Sequence, residues 1–318
     1  MPLVAPEQSN IRLYVTVDFE ESFDWASIHT PFVLVGDVAP VAAFHAECVA
    51  KGIRPTYFAT FMVLNDPRSV EFLRRARSAD ECSVGIHLHA WSTPPTTEAA
   101  TEANTFQGNL PAALEAAKLT SLSESYKRVF GGSPSIHRAG RYGATAQTYR
   151  ILESMGISLD FSPSSGFNFG EAGGPDFRTM RNAPFWAGDH HKVLCLPVPG
   201  RNFLRGPDFL TRLCGARLAK TLGVPVRLSP EGNTVRRMQM IAAHAIKEGV
   251  RDIVVTIHST SLSPGGNPYS NTATAVRGVV QRLIEFVEWM TIQQHASCSL
   301  PLFGPLARST KSAHSSAA

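Results

Sequence analysis

Apolar residues along the chain follow two patterns in alternation. Short, nearly continuous apolar runs give way to longer segments in which apolar positions recur every three or four residues. "IRLYVTVDF" (11–19) is a β-branched and aromatic run and predicts a strand. "DVAPVAAFHAECVAKG" (37–52) has the helical period and closes on a glycine, a usual helix stop. The alternation continues with strand "RPTYFAT" (54–60), helix "PRSVEFLRRARSA" (67–79), strand "CSVGIHL" (82–88) and a helix over about 110–129. Strand "PSIHR" (134–138), helix "GATAQTYRILESMG" (143–156) and strand "ISLDFS" (157–162) come next. Residues 163–200 are rich in Gly, Pro and Asn and predict loop, with one strand at "KVLCLPV" (192–198). Helices around 205–221 and 233–248, strand "DIVVTIH" (252–258) and a helix over about 272–292 complete the pattern.

Strands followed by helices, joined by short connections, predict an α/β fold with a parallel sheet, closed as a barrel or left open. There is no internal repeat and no linker. The expected organisation is an N-terminal extension over 1–10, one domain over 11–300, and a disordered tail over 301–318, where "ARSTKSAHSSAA" is small and polar.

Composition narrows the function classes. At 318 residues and 43% hydrophobic, the chain can build a full core. A net charge of +4 with no run of five basic residues argues against nucleic acid as a partner. No apolar stretch reaches the roughly 20 residues of a membrane helix, so no membrane span is expected. "MPLVAPEQSN" lacks the basic-then-apolar order of a leader, and the expected location is the cytoplasm. Cys48, Cys82, Cys195, Cys214 and Cys298 are odd in number and form no CxxC, which suits reduced thiols. Cys82 is the one cysteine expected near the chemistry, five residues before His87.

In parallel α/β folds the ligand lies beyond the carboxyl ends of the strands. Ionisable residues gather at those ends here: Asp18 and Glu20, His87 and His89, Arg138, Asp160, and His258. On an extended chain, residues i and i+2 face the same way, so Asp18 and Glu20 can enter one pocket while Phe19 packs outward. One carboxylate could hold a cation and the other act as a base; the plain alternative is a solvated acidic loop. His87 and His89 share that spacing. With a carboxylate from Glu20 or Asp18 they would make a three-ligand set that leaves room for water, the arrangement of catalytic zinc. The plain alternative is one hydrogen-bonded core histidine and one exposed one. Of Arg138 and Arg141, one is expected to orient a buried carboxylate and the other to lie at the surface. His258 is a candidate acid, or else a hydrogen-bonded residue closing a strand. His190 and His191 are expected on a surface loop.

The set "VDFEE", "GIHLHAW", "HRAG" and "TIHS" resembles the motifs of the polysaccharide deacetylase family, the NodB homology domain of carbohydrate esterase family 4. The resemblance runs over about 11–290 and implies a distorted (β/α) barrel, often of seven strands. It implies Asp18 as catalytic base, Glu20, His87 and His89 as metal ligands, Arg138 as the residue steadying the base, and His258 as leaving-group acid. Tyr142 is the match for the residue whose backbone N–H holds the oxyanion. Asp160 is the candidate for the fourth motif. The family spaces its histidines four apart; here they are two apart, and the fourth position after His87 is Trp91, which cannot ligate and is placed with Tyr142 on the substrate side. The implied cofactor is a divalent metal, zinc first. The implied reaction is deacetylation of an N-acetylated sugar or glycan precursor, with a nucleotide- or lipid-linked hexosamine expected for a cytoplasmic enzyme.

Two other readings fit parts of the pattern. One is a metal-dependent amidase acting on a non-sugar C–N bond such as a cyclic amide, for which HxH at a strand end is also a mark. The other is a degenerate barrel that binds glycans without hydrolysing them.

Overall fold

The computed structural model describes residues 11–25, 27, 34–204 and 223–301. The predicted helix at 205–221, Cys214 and the two terminal segments other than residue 301 lie outside the described residues.

Strands β1 (Arg12–Phe19), β2 (Thr56–Ala59), β3 (Ser83–Leu88), β4 (Ile136–Ala139) and β5 (Leu159–Asp160) follow one another with helices between them. Three further strands come from the segment read mainly as loop and just beyond it: β6 (Phe185–Ala187), β7 (Val193–Cys195) and β8 (Gly200–Phe203). Then come β9 (Val224–Arg227), β10 (Asp252–His258) and a short β11 (Ser297–Cys298). The sheet order is β10-β1-β2-β3-β4-β5-β7-β6, with β11 also paired to β1. The seven strands from β10 to β7 pair in parallel throughout. β6 is an antiparallel edge strand, and β8 and β9 form a separate hairpin. Beyond β7 and β10 the wall is continued by single hydrogen bonds: Leu228 N–H donates to Pro199 O at 2.8 Å, and Thr256 N–H donates to Leu228 O at 3.2 Å. The distorted seven-stranded (β/α) barrel expected from the sequence is therefore the observed fold.

Helices α1 (Ala39–Ala50), α2 (Pro67–Ser78), α3 (Ala112–Phe130), α4 (Ala146–Ser154), α5 (Val235–Lys247) and α6 (Ala273–Gln293) lie within a few residues of their predicted spans. Their ends follow local chemistry. Asp66 accepts the Ser69 N–H at the start of α2, with Pro67 in the first turn, and Thr234 and Thr272 cap α5 and α6 in the same way. Gly131, at φ +77°, ends α3 in the left-handed conformation that costs glycine least.

Strand alternation sorts the core into two layers. Leu13, Val15, Val17 and Phe19 of β1 face the helices and join the larger apolar cluster. Tyr14 points the other way and packs with Phe58, Ile136, Phe161, Leu194 and Val254 in the barrel interior. The parity that puts Tyr14 inside also puts Thr16 and Asp18 inside. On β10 it does the same for Val254, Thr256 and His258, and on β4 for Ile136 and Arg138. Register sets these residues level: Asp18 is opposite His258, Thr16 opposite Thr256, and His87 opposite Arg138. The barrel's apolar filling thus gives way to charged side chains at its carboxyl end.

Cys82 corrects one expectation. It is buried just before β3 begins, whereas His87 stands near the end of that strand. Five residues of extended chain separate them by about 16 Å. Cys48, Cys82, Cys195 and Cys298 are all free thiols. No helix among the described residues is long and apolar enough to cross a membrane.

Candidate active site

Arg138 is the largest fully buried side chain in the described structure. Its guanidinium donates to Asp18 Oδ1 at 2.5 Å, Thr256 Oγ1 at 3.0 Å, Thr16 Oγ1 at 2.9 Å and Phe161 O at 3.1 Å, and it lies 4.3 Å over the Phe58 ring. These partners come from β1, β2, β10 and the residue after β5, so the arginine ties the barrel interior together. Burial alone would raise the Asp18 carboxyl, but the charges of Arg138, His87 and His258 outweigh it and hold Asp18 at about 2. Asp18 is therefore an anion at neutral pH, fixed in orientation.

Glu20, His87 and His89 converge beside it. Glu20 Oε2 is 3.3 Å from His89 Nε2 and 3.8 Å from His87 Nε2, and one ligand atom from each of the three lies within 4.8 Å of the others. Second partners set which imidazole nitrogen carries a proton. His87 Nδ1 lies 2.9 Å from Arg138 O, a carbonyl that can only accept. His89 Nδ1 lies 2.9 Å from Glu21 Oε1, which also accepts from Ser92 Oγ at 2.6 Å. Each Nδ1 is therefore the donor, and in the neutral ring each Nε2 keeps a lone pair facing Glu20. Histidines that hold a metal donate their other ring N–H to a carbonyl or carboxylate in this way. Burial lowers the His87 imidazole despite Asp18 and Glu20 nearby. For His89 burial is outweighed by Glu21 and Glu20, which lift it to about 9.

Aromatic rings brace the ligands. Trp91 stacks on His89 with centroids 4.2 Å apart, and Phe23 meets His89 edge-on at 5.6 Å. Gly140 completes the packing. A Cβ there would lie 2.7 Å from Leu88 O and 2.8 Å from His89 Cδ2, so only glycine lets β3 and the β4 turn approach this closely. The next two residues, Arg141 at φ 50° and Tyr142 at φ 60°, are both left-handed, a strained pair that turns the chain at the cavity wall.

His258 stands across from the three ligands. Its Nε2 is 3.8 Å from Asp18 Oδ2, and its Nδ1 is held by Glu231 Oε2 at 2.8 Å. Glu231 Oε1 also accepts the His258 backbone N–H at 2.9 Å and the Ser261 hydroxyl. Burial would lower His258, but Glu231, Glu20 and Asp18 together raise it well above the ordinary histidine value. The inventory of buried charge fits a metal. Asp18, Glu20, Glu21 and Glu231 are four nearly inaccessible carboxylates, set against the Arg138 guanidinium, a protonated His258 and, when no metal is bound, a protonated His89. Unbalanced buried charge is costly, and a divalent cation among Glu20, His87 and His89 would restore the balance.

Asp18, Glu20, His87, His89, Glu231 and His258 open into one cavity of about 440 Å³. Seven of the eight residues singled out from the sequence as site residues line it: Asp18, Glu20, His87, His89, Trp91, Tyr142 and His258. Arg138, the eighth, lies behind Asp18. Arg141, rather than lying at the open surface, is partly buried in the wall and bonds Thr105 Oγ1 at 2.6 Å and Glu102 Oε1 at 3.2 Å. Asp160 is a correction. It bonds His137 Nδ1 at 2.7 Å and Ser162 inside the barrel wall and does not line the cavity. The carboxylate beside His258 is Glu231 instead. His190 and His191 are exposed, with the His190 backbone bonded to Glu153.

Sequence reasoning missed Glu21 and Glu231 as partners, and Trp25 and Tyr269 as cavity lining. Glu21 stood in the quoted acidic run, but alternation assigns it the face opposite Glu20. β1 ends at Phe19, so alternation stops applying there. Glu231 follows β9, in a stretch with no periodic signal.

No protein-family model matches the chain, and no curated protein matches it either. Solved structures do. A Mycobacterium smegmatis protein assigned as a polysaccharide deacetylase superposes with a TM-score of 0.53 at 15% identity, covering 94% of this chain and 90% of that one. A Parabacteroides distasonis protein assigned as a glycoside hydrolase/deacetylase gives 0.57 at 10% identity, over 92% and 69%. Puue allantoinase gives 0.51 at 14% identity, over 93% and 89%. The activities named differ and the identities are low, so what the three share with this chain is architecture. Together with the seven parallel strands and the cavity at their carboxyl ends, these superpositions establish that the chain has the polysaccharide-deacetylase, or NodB-like, fold.

Proposed function

We propose that the protein is a metal-dependent hydrolase that removes an N-acetyl group from an amino sugar or glycan precursor. The observation that carries this reading is the convergence of two separately supported sets in one cavity. One is Glu20, His87 and His89, with both Nε2 atoms turned toward the Glu20 carboxylate. The other is the proton-transfer pair Asp18 and His258, each tied to its own counter-charge.

When bound, a divalent cation such as zinc at Glu20, His87 and His89 supplies a Lewis acid for the acyl oxygen and a water of lowered pKa. The chain's own residues do the rest. Asp18, oriented by Arg138, takes a proton from the attacking water. The Tyr142 backbone N–H stabilises the charge that develops on the acyl oxygen. His258, whose Nδ1 proton is held by Glu231, donates its Nε2 proton to the departing nitrogen. Water's oxygen ends in acetate and its protons are shared with the amine, so both products are accounted for. The aromatic rings around the cavity favour a sugar: Phe23 and Trp25 stack 5.0 Å apart, and Trp25 meets Tyr269 edge-on at 6.4 Å. Flat apolar surfaces of this kind suit the C–H faces of a pyranose.

The test is acetate release from N-acetylated hexosamines and their oligomers, beside a panel of cyclic amides. Acetate release that falls by about a hundredfold or more in Asp18→Asn is expected. Hydrolysis of the cyclic amides alone, or undiminished release by Asp18→Asn, would exclude the assignment.

A further inference from the structure

The cavity wall holds a cation that the proposed reaction does not use. Arg227 ends β9, which pairs antiparallel with β8, and lines the same cavity as Asp18 and the three candidate metal ligands. Its guanidinium sits 4.0 Å from the Tyr142 ring centroid and 4.3 Å from that of Phe167. Nε donates to Ser164 Oγ at 2.8 Å. Among the described residues no carboxylate lies within ion-pair distance of Arg227, and its two terminal nitrogens have no protein acceptor. The other cations of the site differ. Arg138 faces Asp18, and Arg141 faces Glu102.

Stacking explains how Arg227 is held but not what it is for. A guanidinium's N–H bonds lie in its plane, so rings packed on its faces leave its edge open. Nε uses one edge position, and the Nη1 and Nη2 hydrogens are left as a fixed fork. Such a fork matches the paired oxygens of a phosphate or a carboxylate. Rings on the faces also fix the side chain before binding, which lowers the entropy lost when a ligand arrives. The floor's carboxylates are matched by Arg138, His258 and the proposed metal, whereas Arg227 faces no carboxylate, so an anionic substituent would be drawn to the Arg227 wall. A sugar with a charged substituent would thereby be oriented with its uncharged acyl end toward Asp18.

We propose that Arg227 is a specificity residue binding an anionic substituent, a phosphate ester or a carboxylate, on the N-acylated sugar that occupies this cavity. The inference rests on the deacetylase reading for the sugar, but its core, an anion site on this wall, can be tested apart from it.

The full-length metal-loaded protein and its Arg227→Met and Arg227→Lys variants would be assayed on N-acetylglucosamine, its 1-phosphate and N-acetylglucosaminuronic acid. The wild type is expected to favour at least one charged sugar over the neutral one in kcat/KM, and the arm showing the preference identifies phosphate or carboxylate. Arg227→Met should lower that charged-to-neutral ratio by about tenfold to a hundredfold, mainly through KM, and Arg227→Lys by less. A merely structural role would lower all three substrates together and leave the ratio unchanged, and that result overturns the proposal. If no sugar is hydrolysed, calorimetric titration with the same ligands gives the same ratio from dissociation constants. A charged preference lost in Arg227→Met then keeps the anion site while the deacetylase reading fails. Equal binding of charged and neutral sugars by the wild type rejects the anion site.

Discussion

Replacing Arg138 with methionine tests the structural logic of the site more severely than any other single change. Methionine keeps much of the apolar stem but removes the charge and all four hydrogen bonds that Arg138 donates. Asp18 loses its ion pair and stays buried as an anion, while Thr16, Thr256 and Phe161 lose a donor. Breaking a buried ion pair from one side costs about 3–5 kcal/mol, which is a large share of the roughly 5–15 kcal/mol that holds a domain folded. Urea unfolding followed by far-ultraviolet circular dichroism would measure the loss by linear extrapolation. The double-mutant cycle with Asp18→Asn identifies its source. If the penalty comes from a stranded carboxylate, Asp18→Asn should recover part of it, and the two changes should fall short of additivity by about 1–3 kcal/mol. Arg138→Lys should not rescue fully, because a single ammonium cannot reach Asp18, both threonines and Phe161 O at once. A loss below about 1 kcal/mol for Arg138→Met, or strict additivity in the cycle, would refute the claim that this pair anchors the site.

Two further outcomes follow from the geometry. His258 is raised well above the usual histidine value by its carboxylate neighbours, so its acid form persists at neutral pH and is lost only as pH climbs through that raised value. The alkaline limb of kcat should therefore lie above the ordinary histidine range, and Glu231→Gln, which removes the nearest negative charge, should move it to lower pH; an unmoved limb would remove His258 from the role of acid. Gly140→Ala forces a methyl against Leu88 O and His89 Cδ2, and should weaken metal affinity by about tenfold or more, measured by competition with a chromogenic chelator. Affinity equal to wild type would mean that His89 is not a ligand.

The parts of this fold that the sequence revealed are those with a strong local signal. Parallel strands are covered on both faces, so they appear as unbroken apolar runs, and β10 was readable to the residue at 252–258. Alternation then paired Asp18 with Glu20 and His87 with His89 on shared faces, and position at a strand end singled out His258, without any knowledge of the third dimension. His87 lies one residue before the end of β3 and His89 is the first residue beyond it, yet both reach the same carboxylate, and Trp91 stacks on His89 instead of ligating. The missed parts depend on distant contacts. β6 is three half-buried residues whose pairing is made by β7, and β8 and β9 are short strands from separated segments of the chain. Glu231 reaches His258 only because the chain after β9 runs beside β10, where Thr256 N–H donates to Leu228 O. Asp160 ends a strand as the site residues do, yet it points to His137, and only the register of β4 and β5 decides that.

The claim on which the account depends is that Glu20, His87 and His89 form a metal site. Metal content by inductively coupled plasma mass spectrometry, on the wild type and on a His87→Ala/His89→Ala variant after incubation with zinc, measures this directly. The account predicts about one ion per wild-type chain and almost none in the folded double variant, as three protein ligands around one catalytic zinc require. A wild type that takes up no zinc, cobalt or nickel, or a double variant that retains its ion, would contradict it.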